Sequence, residues 1–184
     1  MNDIHTSYEE KMKKSIAALK DDFNTLRTGR ASASLFEKIR VECYGELSPL
    51  NQVASISIPE ARLVVIQPWD KSLLPNIEKA ILKSELSLNP SNDGKIIRIA
   101  IPPLTEDRRK ELAKQAKNIA EQSRIAIRNI RRDGIEEAKK LQKEGSLSED
   151  DLKTAEEKFQ KATDAHISEI NTILAEKEKE ILDD

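Results

Sequence analysis

Basic side chains at helical spacing are the residues of this sequence best suited to chemistry. Four of them share one face of an α-helix because they are separated by seven, four and three residues: Lys117, Arg124, Arg128 and Arg131. Arg132 flanks that face, and Arg108 and Arg109 lie near the start of the same segment. The planar guanidinium group can bind two phosphate oxygens at once. The stripe therefore indicates a surface that contacts the backbone of RNA or DNA.

The local charge supports this interpretation. The whole chain carries a formal charge of −2, yet residues 108–132 hold 9 basic and 2 acidic side chains. Residues 146–184 have the opposite balance, with 12 acidic and 5 basic side chains. Like charges four residues apart on a helix repel by a few tenths of a kcal/mol, so a cationic stripe is unfavourable until anions meet it. The acidic segment can supply some of these anions, but we expect an exposed basic face to remain.

A second basic row lies near the N-terminus. Lys13, Lys20 and Arg27 repeat every seven residues, and Arg30 follows three residues later. Aromatic residues make up only 3% of the chain, which argues against a platform that stacks single-stranded bases. Contacts to the shape and phosphates of structured RNA fit these residues better.

Enzyme signatures are absent from the sequence. It contains no phosphate-binding glycine motif and no HExxH motif, and its single cysteine excludes an internal disulfide or a multi-cysteine metal cage. We therefore expect no catalytic residue, no metal and no cofactor. His166 and Cys43 lie on apolar faces and are interpreted as core residues. For Trp69 we favour a structural role, closing a small core, over contact with a partner.

Three segments have the period of long amphipathic helices. Apolar residues recur every three or four positions over 8–26, and again over 105–144 with Thr105 as N-cap. Gly145 predicts the end of that second helix, and Ser148 predicts the start of a third. A helix over 105–144 is about 60 Å long. Since one apolar stripe of that length cannot be buried alone, we expect the three helices to pack as a bundle.

The segment 31–104 follows a different pattern. Residues 39–44 alternate apolar and polar side chains, as a half-buried strand does, and Gly45 interrupts them. The turn residues of 89–94 predict a loop. Further strands are expected at 54–58, 63–66 and 96–101, and a short helix at 75–83.

The predicted fold class is α+β, an elongated three-helix bundle interrupted by a small, β-rich α/β domain. We assign residues 1–29 and 105–184 to the bundle and 31–103 to the inserted domain. The chain then crosses twice between the two domains, near 29–31 and near 102–105. We expect a hinge there, formed by Gly29, Pro102 and Pro103, because two short connections permit bending.

At these residues the sequence resembles the bacterial ribosome recycling factor family. The order and spacing of the matching blocks fit that family from end to end: residues 27–32 (RTGRAS), 88–90 (LNP), 102–106 (PPLTE), 108–110 (RRK) and 128–133 (RNIRRD). Two departures stand out. Ala33 replaces a common proline, and Gly134 replaces a frequent alanine, which by helix propensity weakens the second helix by up to about 1 kcal/mol.

The resemblance implies an L-shaped protein of tRNA-like dimensions that is not an enzyme. It implies binding to large-subunit rRNA of the post-termination ribosome and, with elongation factor G and GTP, subunit dissociation and release of mRNA and tRNA. GTP hydrolysis then belongs to the partner. The family's rRNA-binding positions correspond to Arg27, Arg30, Arg128, Arg131 and Arg132. Its interdomain elbow corresponds to the predicted hinge.

Other functions remain open from the residues alone. A coiled-coil scaffold would bind a partner helix through the apolar stripes, and an RNA-binding protein need not recycle ribosomes. A nuclease would need clustered ionisable groups, which the sequence lacks. We also expect a cytoplasmic monomer without membrane association, since no apolar run approaches the roughly 20 residues of a membrane span and the N-terminus lacks a secretory signal.

Overall fold

The computed structural model describes residues 2–182, which divide into two units: residues 2–28 with 106–182, and residues 29–105. No helix in this described part is both long and apolar enough to span a membrane. In chain order the elements are α1 (Asn2–Thr25), β1 (Arg40–Cys43), β2 (Glu46–Pro49), α2 (Leu50–Val53), β3 (Ala54–Glu60), β4 (Leu63–Pro68), α3 (Leu74–Lys83), β5 (Pro90–Asn92), β6 (Ile97–Ala100), α4 (Glu106–Lys143) and α5 (Glu149–Leu182).

The first unit is a bundle of α1, α4 and α5. Each helix buries one stripe of side chains spaced three and four residues apart, as the sequence predicts. The buried side chains of these stripes include Met12, Leu19 and Phe23 on α1, Leu112 and Ile127 on α4, and Phe159, Ile170 and Ile181 on α5. The α+β fold class with a helical bundle is thus confirmed.

The turn between α4 and α5 fixes their antiparallel packing. Gly145 has φ +81°, and the amide of Ser146 donates to the carbonyl of Leu141 at 2.9 Å, which closes the end of α4. The next helix begins with a reciprocal cap, since the Ser148 hydroxyl accepts from the amide of Asp151 at 3.0 Å and the Asp151 carboxylate accepts from the amide of Ser148 at 3.3 Å. Both predicted helix boundaries are confirmed.

The second unit contains two antiparallel sheets. β1 and β2 form a hairpin through Tyr44 and Gly45, both with positive φ, and the other strands form a sheet of order β3-β4-β6-β5. The strands expected at 54–58, 63–66 and 96–101 and the helix at 75–83 are all present. The sequence pattern does not predict β2 or β5. Residues 89–94 are only partly a loop, because Pro90–Asn92 pairs with β6 at the sheet edge.

The prediction that Trp69 closes the small core is wrong. Its side chain is 70% exposed, while its backbone amide donates to the carbonyl of Val53 at 3.0 Å. The chain turns immediately after it, because Asp70 caps the next turn by accepting from the amide of Ser72. The buried side chains of this core include Phe36, Leu50, Ile66, Leu73, Ile77, Ile81, Ile97 and Ile99.

One end of the bundle is built around the ring of Phe159. Tyr8 packs edge-on against it with ring centroids 5.7 Å apart. The Tyr8 hydroxyl also donates to the carboxylate of Glu137 at 2.5 Å, a bond that raises the pKa of Tyr8 to about 12. On α4, the ring faces Gly134, where an added Cβ would lie 2.6 Å from two ring carbons. Gly134 therefore makes room for Phe159, a role that helix propensity alone does not reveal.

The same ring contacts His5. The two ring centroids are 4.3 Å apart, and the buried Nε2 of His5 has no hydrogen-bond partner within residues 2–182. A cavity of about 210 Å³ beside it is lined also by Glu9, Met12, Lys158 and Ala162. Burial, followed by the positive charge of Lys158, lowers the pKa of His5 below its usual 6.5, although Glu9 opposes this shift.

Gly134→Ala should destabilise the protein even though alanine is the better helix former. The gain in helix propensity of about 1 kcal/mol is smaller than the overpacking cost of about 1–3 kcal/mol against a ring held by three helices. Chemical denaturation measures the free energy of unfolding. Asn118→Ala, at an exposed position of α4, is the control and should stabilise slightly. A Gly134→Ala protein as stable as this control would contradict the packing argument.

Stability should depend on pH through His5. A lowered pKa in the folded state means that its contribution is complete above pH 6.5 and is lost as the pH falls through the folded pKa. His5→Phe keeps an aromatic ring against Phe159 and removes the titration. Thermal melts from pH 7.5 to 5 should therefore show a steeper decline in Tm for the wild type than for His5→Phe. Parallel curves for the two proteins would refute this role.

Candidate RNA-binding face

The basic stripe of α4 forms a row on one side of the helix, beside α5. Lys117 and Arg132 mark its ends, about 20 Å apart along the helix axis. Both side chains are exposed and make no ion pair within residues 2–182. We call Lys117, Arg124, Arg128, Arg131 and Arg132 the α4 basic face.

Arg124 joins α4 to α5. Its Nε and Nη2 both donate to Oδ1 of Asn171, at 3.0 and 2.8 Å, and its Nη1 donates to Glu121 at 2.9 Å. Only 19% of the Arg124 side chain is exposed. All three guanidinium nitrogens are thus engaged by side chains of α4 and α5, so this arginine contributes more to helix packing than to an external ligand.

Arg128 is more accessible. Its side chain is 42% exposed, and its nearest carboxylate oxygen, from Glu121, lies 3.6 Å away. Glu121 is itself half exposed and also pairs with Arg124. A shared surface carboxylate at this distance contributes little energy, so a phosphate group can displace it.

Arg131 meets an amide rather than an acid. Its Nη1 donates to Oε1 of Gln160 on α5 at 3.0 Å, and it makes no ion pair within the described part of the chain. The side chain is half-buried. The hydrogen bond orients the guanidinium, and no described carboxylate lies within ion-pair distance of it.

The remaining predicted residues do not belong to the α4 basic face. Arg108 pairs with Glu111 at 2.8 Å and projects from α4 about half a turn away from Lys117. Arg109, in the same first turns, is half-buried. Arg27 is exposed just after α1, and Arg30 is exposed within the second unit.

The predicted hinge residues have distinct backbone properties. Gly29 is buried and has φ +78°, a conformation that L side chains rarely adopt. Pro102 and Pro103 are exposed. The two units divide between residues 28 and 29 and between 105 and 106. The flexibility of these positions stays a prediction.

Among the described residues, no group of three or more His, Cys, Asp or Glu side chains could hold a metal ion. His166 is a core residue as expected, because its side chain is buried, and its Nδ1–H donates to the carbonyl of Ala162 in its own helix at 2.7 Å. Cys43 is half-buried against the core of the second unit.

The sequence analysis missed the α5 residues that organise the basic face. Gln160 and Asn171 are the only amide side chains of α5, and each accepts from one arginine of α4. They are eleven residues apart, about three helical turns, and so lie on one face. The sequence alone contains this signal: two neutral amides on one face of an acidic helix could have been predicted to accept hydrogen bonds from arginines of the basic helix.

Comparisons with known proteins agree on one family. The model of the family described as ribosome recycling factor matches residues 19–182. The ribosome-recycling factor of Treponema denticola is 70% identical over 183 residues, covering 100% of this chain and 99% of the relative. That of Acetivibrio thermocellus is 53% identical and covers 98% of this chain and 99% of the relative.

Solved structures give the same result. A solution structure of a ribosome recycling factor superposes with a TM-score of 0.76 at 44% identity, covering 100% of this chain and 97% of the other. A second is the Thermus thermophilus ribosome recycling factor, described together with Escherichia coli elongation factor G as bound to the E. coli post-termination complex. It has a TM-score of 0.65 at 46% identity and covers 98% of both chains.

Arg124→Ala should lower the free energy of unfolding by about 1–3 kcal/mol, because it removes charge-assisted hydrogen bonds between α4 and α5 and the packing of a side chain that is only 19% exposed. Arg132→Ala, an identical change at an exposed position of the same face, should stay within about 0.5 kcal/mol of the wild type. Urea denaturation of the two variants checks this difference. Equal stabilities would mean that the Arg124 contacts do not hold the bundle together.

Proposed function

The chain belongs to the ribosome recycling factor family, and on that basis we propose that it dissociates the post-termination ribosome together with elongation factor G and GTP. Members of this family are translation factors and not enzymes. In this proposal GTP hydrolysis is carried out by elongation factor G, and the present chain acts by binding and by movement. In this proposal the chain works in the cytoplasm and as a monomer.

The α4 basic face is the proposed site of contact with large-subunit rRNA. The observation that carries this proposal is the environment of Arg131, whose guanidinium is oriented by a neutral amide and not paired with an acid. Exposed Lys117 and Arg132 extend the row, and Arg128 has only a distant surface carboxylate. Positive charge that the protein leaves uncompensated is available to phosphates, and its neutralisation releases counterions from the RNA.

The other basic residues have secondary places in this proposal. Arg27 and Arg30 are exposed and can add phosphate contacts close to the predicted hinge. Arg108 and Arg109 lie at the first turns of α4, so they contact RNA only if it extends around the helix. Bending near Gly29, Pro102 and Pro103 is proposed to let the small domain move when elongation factor G binds.

A scaffold function is disfavoured by the burial of the apolar stripes. A coiled-coil scaffold needs an apolar seam that a partner helix can cover. Here the stripes of α1, α4 and α5 cover one another. Among the described residues of the bundle, the exposed large apolar side chains are Ile125 and Leu182, which do not form such a seam.

Arg131→Ala should weaken binding to large ribosomal subunits by about tenfold or more, since charge-assisted hydrogen bonds to phosphate contribute about 1.5–3 kcal/mol. The slope of log affinity against log salt should fall by about 0.7–0.9 for each phosphate that the variant no longer neutralises. Co-sedimentation across a salt series measures both quantities. Subunit splitting with elongation factor G and GTP should fall in parallel.

Lys140→Ala is the control, because it removes one exposed positive charge from a different face of α4. It should bind and split ribosomes as the wild type does. If Arg131→Ala retains wild-type affinity at every salt concentration, the α4 basic face is not the RNA-binding surface. If the wild-type protein splits no ribosomes with elongation factor G and GTP present, the recycling function itself is wrong.

A further inference from the structure

Three side chains of the bundle are connected in series by hydrogen bonds, and Arg131 is at one end of the series. Arg131 Nη1 donates to Oε1 of Gln160 at 3.0 Å, and Nε2 of Gln160 donates to Oδ1 of Asp164 at 2.9 Å. Gln160 and Asp164 are four residues apart on α5, so their side chains are neighbours on one helix face. The amide of Gln160 thus separates a guanidinium from a carboxylate.

The chemistry of its two neighbours fixes the orientation of this amide. A guanidinium can only donate hydrogen bonds, and an ionised carboxylate can only accept them. If the Gln160 amide were flipped, its NH₂ group would face Arg131 and its oxygen would face Asp164, and neither hydrogen bond could form. The carbonyl oxygen of Gln160 is therefore held toward Arg131 by Asp164.

This arrangement orients the arginine without neutralising it. α5 belongs to the acidic segment of the chain, yet the side chain that it presents to Arg131 is uncharged. A glutamate at position 160 would form a direct ion pair with Arg131, and the carboxylate would compete with phosphate for the guanidinium. The amide supplies the same oxygen acceptor while the positive charge remains available to RNA.

We propose that Gln160 is a positioning residue for RNA binding, which holds Arg131 toward phosphate through an amide that Asp164 orients. This inference rests on the proposed function, because it assigns a role within the α4 basic face. Asn171 does not have this role. Its partner Arg124 is 19% exposed and also pairs with Glu121, so that contact joins the helices.

Three variants separate charge from orientation. Gln160→Glu keeps the acceptor and adds a charge, so binding to large ribosomal subunits should weaken by about five- to tenfold and the salt slope should fall by about 0.7–0.9. Gln160→Ala removes the orienting bond only, so affinity should fall by about two- to threefold with the slope unchanged. Gln122→Glu makes the same charge change at an exposed position on another face of α4 and should bind as the wild type.

A double variant tests whether Gln160 acts through Arg131. In an Arg131→Ala background, adding Gln160→Glu should weaken binding little further, because the group on which Gln160 acts is absent. A merely structural role would show equal losses in both backgrounds. Thermal melts accompany each variant, and Gln160→Glu should melt within a few degrees of the wild type.

The outcomes distinguish this inference from the proposed function. If Arg131→Ala weakens binding while both Gln160 variants bind as Gln122→Glu does, the RNA-binding face stands and the positioning role is wrong. If Arg131→Ala also binds as the wild type, both proposals are wrong. A two- to threefold loss of affinity in Gln160→Ala with an unchanged salt slope, together with a lowered slope in Gln160→Glu, supports the positioning role.

Discussion

The packing of α5 against α4 determines where the basic side chains of the bundle point. Arg124 is held by Asn171 and Arg131 by Gln160, so side chains of one helix set the orientation of functional groups on the other. The Gly145 turn and the Ser148 cap make the two helices antiparallel neighbours. A shift of α5 along α4 would misplace both acceptors, so the basic face depends on the bundle being rigid.

The contact between α4 and α5 also determines which charges surround the arginines of α4. Acids on α5 could neutralise the arginines of α4, and such ion pairs would add some stability to the bundle. At the two arginines that α5 touches, it presents amides instead, and Asp164 is kept one side chain away from Arg131. Under the proposed function, reversible binding to RNA phosphates requires charge that is oriented and exposed. α5 places uncharged amides against Arg124 and Arg131, and the Asp164 carboxylate one turn along α5 is bound by the amide of Gln160.

Shape complementarity beside the Arg131–Gln160 contact supports this rigidity. Phe159 fits against Gly134 on α4 and under the rings of His5 and Tyr8 on α1, so one residue of α5 contacts both other helices. Close packing of this kind permits few alternative arrangements. It also explains a glycine in the middle of a long helix, where the intrinsic preference is for alanine.

The sequence by itself determined the fold class, the three long helices, both ends of the α4–α5 turn and the row of basic residues on α4, because helical periodicity and capping are local properties of the chain. Prediction from the sequence failed where contacts between residues far apart in the chain determine the structure. β5 pairs at a sheet edge despite its turn-like residues, and Trp69 is exposed because the small core is filled by other side chains. Helical periodicity also placed Arg124 and Arg131 in one group. Only the tertiary structure shows that Arg124 joins α4 to α5, whereas Arg131 is oriented by an amide and makes no ion pair among the described residues. The partner of a side chain lies on another helix, and a one-dimensional pattern does not encode which residues of two helices meet.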